Sequence, residues 1–237
     1  MLESAPAADA SEVRPLPLSR ARTPFPPLLT ALLKVVLSVL PQPVNPLLAG
    51  PRLHLRWRWG WLKGWAVRPW WRLLEALGGS RIRVGRRFVL KGKLRARGPG
   101  TVIIGDDVVV HSEITPFTHS PEAEIHIGDR AQLGGTRMGC FTRIEIGEDC
   151  MVADCRIFDT DFHSISARRC VDPTLPAISK PVKICRNVWV GAAAAILKGV
   201  TIGENSVVSF GAVVLRDMPA NSVIGGNPAR VFAPVPD

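Results

Sequence analysis

Six aliphatic residues near the end of the chain stand six positions apart: Ile184, Val190, Ile196, Ile202, Val208 and Val214. This period does not fit one face of an α-helix, which turns every 3.6 residues, and a flat strand alternates every two residues. A small or β-branched residue follows four positions after each of the first five: Val188, Ala194, Val200, Ser206 and Ala212. A hexapeptide period is typical of a parallel β-solenoid. It predicts that three hexads close one coil and that the aliphatic residues point inward and stack.

The same pattern appears more faintly upstream, and it sets the predicted limits of the solenoid. Ile82, Phe88 and Leu94 are six apart, and a glycine follows each of Ile104, Ile127 and Ile146, three further residues of the pattern. We therefore predict an all-β parallel β-helix over residues 80–219, followed by a C-terminal tail over 220–237. Irregular spacing predicts short loops near Ser112–Glu124 and Gly134–Arg143, and a longer excursion over Ser164–Lys183.

The N-terminal third lies outside the repeat. Residues 1–26 are rich in Ala, Pro and Ser and are predicted to be disordered. Residues 27–79 are predicted to form a helical amphipathic extension, with one helix over Leu28–Leu40 and a second ending at Gly78 and Gly79. The first helix is too short to span a bilayer, and no secretory signal pattern precedes it, so we expect a cytoplasmic protein.

Tryptophan and cationic residues are concentrated in this extension. Six of the seven tryptophans lie between Trp57 and Trp71, and Arg52–Arg97 contains fourteen Lys or Arg and one acid, in a chain of net charge +10. Such a block favours an anionic membrane surface, contacted through residues 28–72 on the inner face of the membrane. A cap over the first coil is an alternative that is compatible with it. Single-stranded nucleic acid is a third interpretation, but we expect no nucleic-acid partner.

Five cysteines lie in or beside the repeats: Cys140, Cys150, Cys155, Cys170 and Cys185. They form no CxxC pair and no Cys/His zinc spacing. We therefore expect reduced thiols that pack as small hydrophobic side chains, and no metal.

Several segments together resemble the left-handed β-helix (hexapeptide-repeat) acyltransferases, in particular bacterial sugar O-acetyltransferases such as those of exopolysaccharide synthesis. They are DFHS before a long loop, then NVWVG, ILKGVTIG and GNPAR, and the resemblance covers about Ile82–Val231. It implies a left-handed coil, a homotrimer, acetyl-CoA bound between subunits and a sugar or glycolipid acceptor. It also implies that His163 is the general base, a role that suits an imidazole.

The resemblance also assigns the remaining site residues. The backbone N–H of Ala192 would stabilise the oxyanion, and Trp189 would wall the acceptor site beside the histidine. The acetyl-CoA arm and phosphates would contact Ala192, Phe210, Gly211, Leu215, Arg216 and Arg230. Independently of the resemblance, Asp161 is two residues from His163 and would share its face in an extended segment, where it could orient the imidazole. Each residue also has a structural alternative. His163 could be a hydrogen-bonded structural histidine, Asp161 and the two arginines could be solvated surface charges, and Trp189 could pack on the exterior.

Two other functions compete with an O-acyltransferase. A metal-dependent hydratase of the γ-carbonic anhydrase type needs three converging histidines with an H-x4-H pair, and the repeat region has no such pair. A non-catalytic solenoid scaffold, docked at a membrane through the basic block, needs no site at all. The combination of DFHS with the later coil motifs favours the acyltransferase.

Overall fold

The computed structural model describes residues 51–76, 81–172 and 174–236. The predicted tail over 1–26 and the predicted helix over Leu28–Leu40 lie outside these residues.

Within them the chain forms a parallel β-solenoid with three sheets, whose strands are numbered here in chain order. The first sheet contains β1 Arg81–Val84, β3 Thr101–Ile104, β6 Glu124–Ile127, β9 Arg143–Ile146, β12 Val182–Ile184 and β15 Thr201–Ile202. The second contains β2 Val89–Leu90, β4 Val109–Val110, β7 Gln132–Gly134, β10 Met151–Ala153, β13 Trp189–Val190, β16 Val207–Val208, β18 Ser222–Gly226 and β19 Ala229–Pro234. The third contains β5 Thr115–Thr118, β8 Arg137–Cys140, β11 Arg156–Phe158, β14 Ala195–Ile196 and β17 Val213–Val214. The left hand of the coil stays a prediction.

The six aliphatic residues of the clearest hexads form the predicted inward stacks. Ile184 pairs in register with Ile202, Val190 with Val208, and Ile196 with Val214. All six are at most 1% exposed. Burying each such side chain stabilises the fold by roughly 1.5–3 kcal/mol. The six-residue period therefore corresponds to stacks of buried side chains in the core.

Each of the two segments predicted as a short loop contains a strand. Strand β5 lies within residues 112–124, and β8 lies within residues 134–143. The inward positions of these strands carry Pro116, Thr118, Met138 and Cys140, all buried. These residues are not the aliphatic residues of the hexad pattern, so the pattern did not predict the two strands.

The long excursion is present, but it begins and ends earlier than predicted. Thr160 and Ser179 form an antiparallel bridge, and the backbone N–H of Lys180 donates to the carbonyl of Asp159 at 2.8 Å. These two arms close a neck, and residues 162–177 lie beyond it. Lys183 belongs instead to β12.

Two helices cover the first coil: α1 Pro51–Ala66 and α2 Arg68–Ala76. Helix α1 packs against β2, and α2 packs against β1. A Cβ at Gly64 would lie 2.5 Å from the carbonyl oxygen of Phe88, so only glycine permits this approach. Trp71 is 7% exposed and its ring centroid lies 6.2 Å from that of Phe88. The helices thus cap apolar surface that the first coil would otherwise expose.

At the other end, the second sheet continues past the predicted limit at residue 219. Strand β18 pairs in parallel with β16, and β19 then returns antiparallel to β18. This hairpin forms the last edge of that sheet.

We predict that Trp71→Ala lowers the free energy of unfolding by about 3–5 kcal/mol, because it removes a buried aromatic ring from the cap. Chemical denaturation at fixed protein concentration measures the loss. Trp70→Ala is the matched control, since Trp70 is 57% exposed and its loss should change stability by less than about 0.5 kcal/mol. Equal effects of the two substitutions would contradict the capping role.

Candidate active site

A fully buried carboxylate anchors the base of the long excursion. Asp159 Oδ1 accepts a hydrogen bond from the backbone N–H of Phe141 at 2.7 Å, and Oδ2 accepts from those of Thr142 and Arg143 at 2.7 and 2.8 Å. The Thr142 hydroxyl donates to Oδ2 as well, at 2.9 Å. Such charge-assisted bonds are the strong ones. They join the neck of the excursion to the turn that precedes β9.

Phe162 carries the chain from the neck into the excursion with a φ of 62°, which bulky residues rarely adopt. Its ring lies 4.9 Å from the ring of His119 and 5.2 Å from that of Phe158. A Cβ at Gly139 would lie 2.4 Å from Phe162 Cζ, so the ring occupies space that only a glycine leaves open. Aromatic packing therefore holds an unfavourable backbone conformation in place directly before His163.

His163 follows this turn and is exposed. It lines a cavity of about 520 Å³, here named the loop cavity, together with Phe162, Ser164, Arg169, Cys170, Asp172, Leu175 and Ala177. Its imidazole makes no hydrogen bond with any residue of the described ranges. The structural alternative of a hydrogen-bonded core histidine therefore does not describe it. An exposed, unpaired imidazole in a cavity is free to exchange a proton with a bound molecule.

The structure does not show the predicted contact between Asp161 and His163. Asp161 Oδ1 instead accepts a hydrogen bond from Lys198 Nζ at 2.6 Å. Asp161 Oδ2 is buried and accepts no hydrogen bond from the part of the chain that the structure describes. The prediction treated the extended neck in isolation, whereas packing of the next coil brings a lysine to the same carboxylate.

Trp189 lines a different cavity from His163. It is 50% exposed and lines a groove of about 700 Å³ on the second sheet, here named the tryptophan groove, with Gln132, Met151 and Asp154 among its neighbours. His111 also lines this groove, and its ring donates to Gln132 Oε1 at 3.0 Å. Burial lowers the pKa of His111. The placement of Trp189 beside His163 therefore stays a prediction.

Ala192 lies at a corner of the solenoid next to the tryptophan groove. Its carbonyl accepts a hydrogen bond from the N–H of Gly211 at 3.0 Å, and the N–H of Ala193 donates to the carbonyl of Asp154 at 2.9 Å. The N–H of Ala192 itself has no acceptor among the described residues. This corner therefore offers one free backbone donor, as the oxyanion role requires.

The residues predicted to contact the cofactor continue along the last coils. Phe210 and Leu215 are exposed apolar side chains, and a Cβ at Gly211 would meet no atom within 4 Å. Arg216 and Arg230 are exposed, and neither forms an ion pair within the described ranges. Apolar surface and unpaired cations are both available for a long anionic ligand.

The cysteines are free thiols. Burial raises the pKa of Cys150 to about 11 and that of Cys155 to about 12, and it also raises the pKa of Cys140. These three thiols are therefore packing residues at neutral pH. Cys170 is exposed and lines the loop cavity.

Two features of the site were not predicted from the sequence. The first is the role of Asp159, whose carboxylate accepts hydrogen bonds from the backbone N–H groups of residues 141–143. Lys198 was not considered, because it lies 37 residues from Asp161. The hexad pattern carries one weak signal for it, since Lys198 directly precedes a glycine turn in a coil that follows the excursion.

Comparison with known proteins now adds to this geometry. The family described as "Bacterial transferase hexapeptide (six repeats)" matches residues 181–216. A Mycobacterium tuberculosis protein named "Probable acetyltransferase" is 29% identical over 77% of this chain and 69% of its own length. The galactoside O-acetyltransferase of Escherichia coli is 32% identical over 52% of this chain and 60% of its own length.

A solved structure agrees with these relatives. The polysialic acid O-acetyltransferase OatWY superposes with a TM-score of 0.56 at 28% identity, covering 66% of this chain and 75% of that chain. Sequence and structure are therefore both similar to those of acetyltransferases that contain the hexapeptide repeat.

Residues 51–76, 81–172 and 174–236 contain no helix long and apolar enough to cross a membrane. The same ranges contain no group of three His, Cys, Asp or Glu side chains that could hold a metal ion.

We predict that Asp159→Asn lowers the free energy of unfolding by about 2–4 kcal/mol, because the amide presents donors to backbone N–H groups that need an acceptor. Amide hydrogen exchange should accelerate at residues 141–143, and chemical denaturation gives the stability change. Asp172→Asn is the control: the Asp172 carboxylate accepts hydrogen bonds from Thr174 and lies 4.0 Å from the exposed Arg168 guanidinium, so its effect should stay within about 0.5 kcal/mol. Unchanged exchange at 141–143 in Asp159→Asn would refute the anchor.

Proposed function

We propose that this protein is a CoA-dependent O-acyltransferase that moves an acetyl group from acetyl-CoA to a hydroxyl of a sugar or lipid-linked glycan. The observation that carries the proposal is His163, an exposed and unpaired imidazole in a cavity at the break of the solenoid. The buried Asp159 and the aromatic packing of Phe162 hold the backbone that presents it. A fixed backbone with a free proton acceptor is the arrangement that general base catalysis needs.

In the proposed reaction, His163 accepts the proton of the acceptor hydroxyl while the hydroxyl oxygen attacks the thioester carbonyl. The N–H of Ala192 donates a hydrogen bond to the carbonyl oxygen as negative charge develops there. When the carbon–sulfur bond breaks, the His163 imidazolium returns its proton to the leaving sulfur. No covalent acyl-enzyme is required, because the hydroxyl oxygen attacks the thioester directly.

The last coils fit the co-substrate. The exposed apolar side chains of Phe210 and Leu215 would contact the pantetheine arm, beside the open Gly211. Arg216 and Arg230 would bind the nucleotide phosphates, since guanidinium groups pair well with phosphate. Their lack of ion-pair partners in the described ranges supports this assignment.

The names of two relatives support the proposed acceptor class. The E. coli relative is named for a galactoside acceptor and the superposed structure for polysialic acid, and both names describe O-acetyl transfer to carbohydrate. The tryptophan groove suits such an acceptor, because an exposed indole can stack on a sugar ring while Gln132 and Asp154 offer polar contacts.

A homotrimer would reconcile the two separated halves of the site. His163 lies in the loop cavity, whereas Trp189 and Asp154 lie in the tryptophan groove and Ala192 beside it. We propose that the loop cavity of one subunit faces the tryptophan groove of the next. The base and the oxyanion donor would then come from different subunits.

We predict that His163→Ala lowers kcat about 10²–10⁴-fold, the usual contribution of a general base, while CoA binding is retained. Release of CoA from acetyl-CoA with galactoside and sialic acid acceptors measures the rate, and calorimetry measures binding. His126→Ala is the matched control, because His126 bonds Glu124 on the first sheet. Undiminished turnover in His163→Ala would exclude the base, and failure of the wild type to bind CoA would favour a non-catalytic scaffold.

We also propose that the capping helices dock on an anionic membrane at its inner face. Trp59, Trp65 and Trp70 are each more than half exposed although the cap is otherwise packed. Exposed Leu73, Lys63 and Arg72 lie on the same two helices. Indole rings beside cations suit the headgroup region, and a docked enzyme would meet a lipid-linked acceptor.

We predict that the full chain floats with phosphatidylglycerol vesicles and that the triple variant Trp59→Ser, Trp65→Ser, Trp70→Ser does not, because the exposed indoles supply the interfacial contact. Phosphatidylcholine vesicles and Phe232→Ser are the controls, since Phe232 is an exposed aromatic residue at the opposite end of the solenoid. Equal flotation of the triple variant and the wild type would rule out docking through this face.

A further inference from the structure

An ion pair ties the neck of the excursion to the next coil. Lys198 Nζ lies 2.6 Å from Asp161 Oδ1, and the two side chains are only 28% and 25% exposed. The neighbouring backbone fixes the geometry. Gly199, with a φ of 77°, donates its N–H to the carbonyl of Lys180 at 3.0 Å, and Asp161 donates its N–H to the carbonyl of Ile178 at 3.1 Å. Both partners thus sit on pinned backbone, unlike the usual surface pair.

The second oxygen of Asp161 has no partner. Oδ2 is buried, and no donor within the described residues reaches it. A buried carboxylate oxygen without a hydrogen bond is costly, so the site favours a donor that arrives in another state of the neck. His163 is the nearest candidate along the chain, two residues on, and its imidazole is unpaired in the described structure. Catalytic hydrogen bonds often tighten only when substrate binds.

We infer that Lys198 is a positioning residue for the reaction: it holds Asp161 so that Oδ2 accepts a ring N–H of His163 during turnover. The inference rests on the proposed role of His163 as general base. In this arrangement Lys198 and Asp161 form a pair with no net charge beside the imidazole. Asp161 orients the imidazole ring. Lys198 offsets the negative charge of the Asp161 carboxylate, which would otherwise overstabilise the imidazolium and retain the proton that His163 must pass on.

The charge of this pair should control how easily His163 gains a proton. Loss of Lys198 leaves an uncompensated carboxylate, which stabilises the imidazolium. Loss of the Asp161 charge leaves an uncompensated ammonium, which disfavours it. Other ionisable groups surround the neck and stay in place in both variants: Asp159, Lys180, His119, Arg169, Cys170 and Asp172.

The test uses the full-length protein and four variants: Lys198→Met, Asp161→Asn, the double variant and Lys198→Arg. Lys183→Met is the matched control, because Lys183 is an exposed lysine on β12. The first readout is the pH midpoint of the His163 ring signal in an NMR titration, assigned with His163→Gln, which needs neither substrate nor turnover. The second is the pH profile of kcat/KM for CoA release.

We expect opposite shifts of about 0.5 pH unit or more. The midpoint should rise in Lys198→Met, fall in Asp161→Asn and return towards the wild-type value in the double variant. Lys198→Arg and Lys183→Met should leave it unchanged, and kcat should fall at least several-fold in Lys198→Met with little change in KM.

Two results would overturn the inference: an unmoved midpoint in both single variants, or shifts in the same direction. Those results would leave Lys198 with a structural role alone. If instead the opposite shifts appear but His163→Ala keeps full turnover, the coupling stands and the proposed general base fails. The two failures are therefore distinguishable.

Discussion

The in-register stacking of inward side chains is the constraint on which the rest of this structure depends. Ile184 on Ile202, and Ile196 on Val214, repeat the same contact in successive coils, so each coil is held by its neighbours and the outward positions are fixed with it. A stack of this kind allows inserted segments only at its corners and at its ends. The long excursion accordingly leaves at a corner, and the two helices cover an end.

The candidate site lies where this rigid column meets an irregular segment. Asp159 belongs to both, since it follows the last strand before the excursion and binds the turn of the preceding coil. Both oxygens of its carboxylate accept hydrogen bonds from backbone N–H groups. Asp159 therefore holds the backbone of the site in place, and the proposed acid–base chemistry belongs to neighbouring residues. The His163 imidazole has no hydrogen-bond partner among the described residues. Only one carboxylate oxygen of Asp161 accepts a hydrogen bond, and the Lys198 ammonium compensates the charge of that carboxylate. The anchor, the proposed base and the charge partner are thus three separate residues.

The proposed chemistry divides between two surfaces of one chain. The loop cavity carries the imidazole, while the corner at Ala192 carries the free backbone donor beside an exposed indole at Trp189. Acyl transfer needs both within reach of one thioester carbonyl, so an assembly that joins the two surfaces is a requirement of the proposal. In the proposed trimer, division of the site between subunits would make activity depend on assembly.

The sequence by itself determined the solenoid, its clearest coils, the position of the long excursion and His163 at its start. It could do so because a hexad is local, and each residue's inward or outward position depends on its own place in the period. It misjudged β5 and β8, whose buried Thr118 and Cys140 lack the aliphatic pattern. The tertiary structure alone decided that Asp161 pairs with Lys198, that Asp159 is an anchor and that Trp189 and His163 line different cavities. Those facts depend on which residues of different coils lie next to each other. The hexad period does not set that register; it depends on the number of residues in each intervening turn.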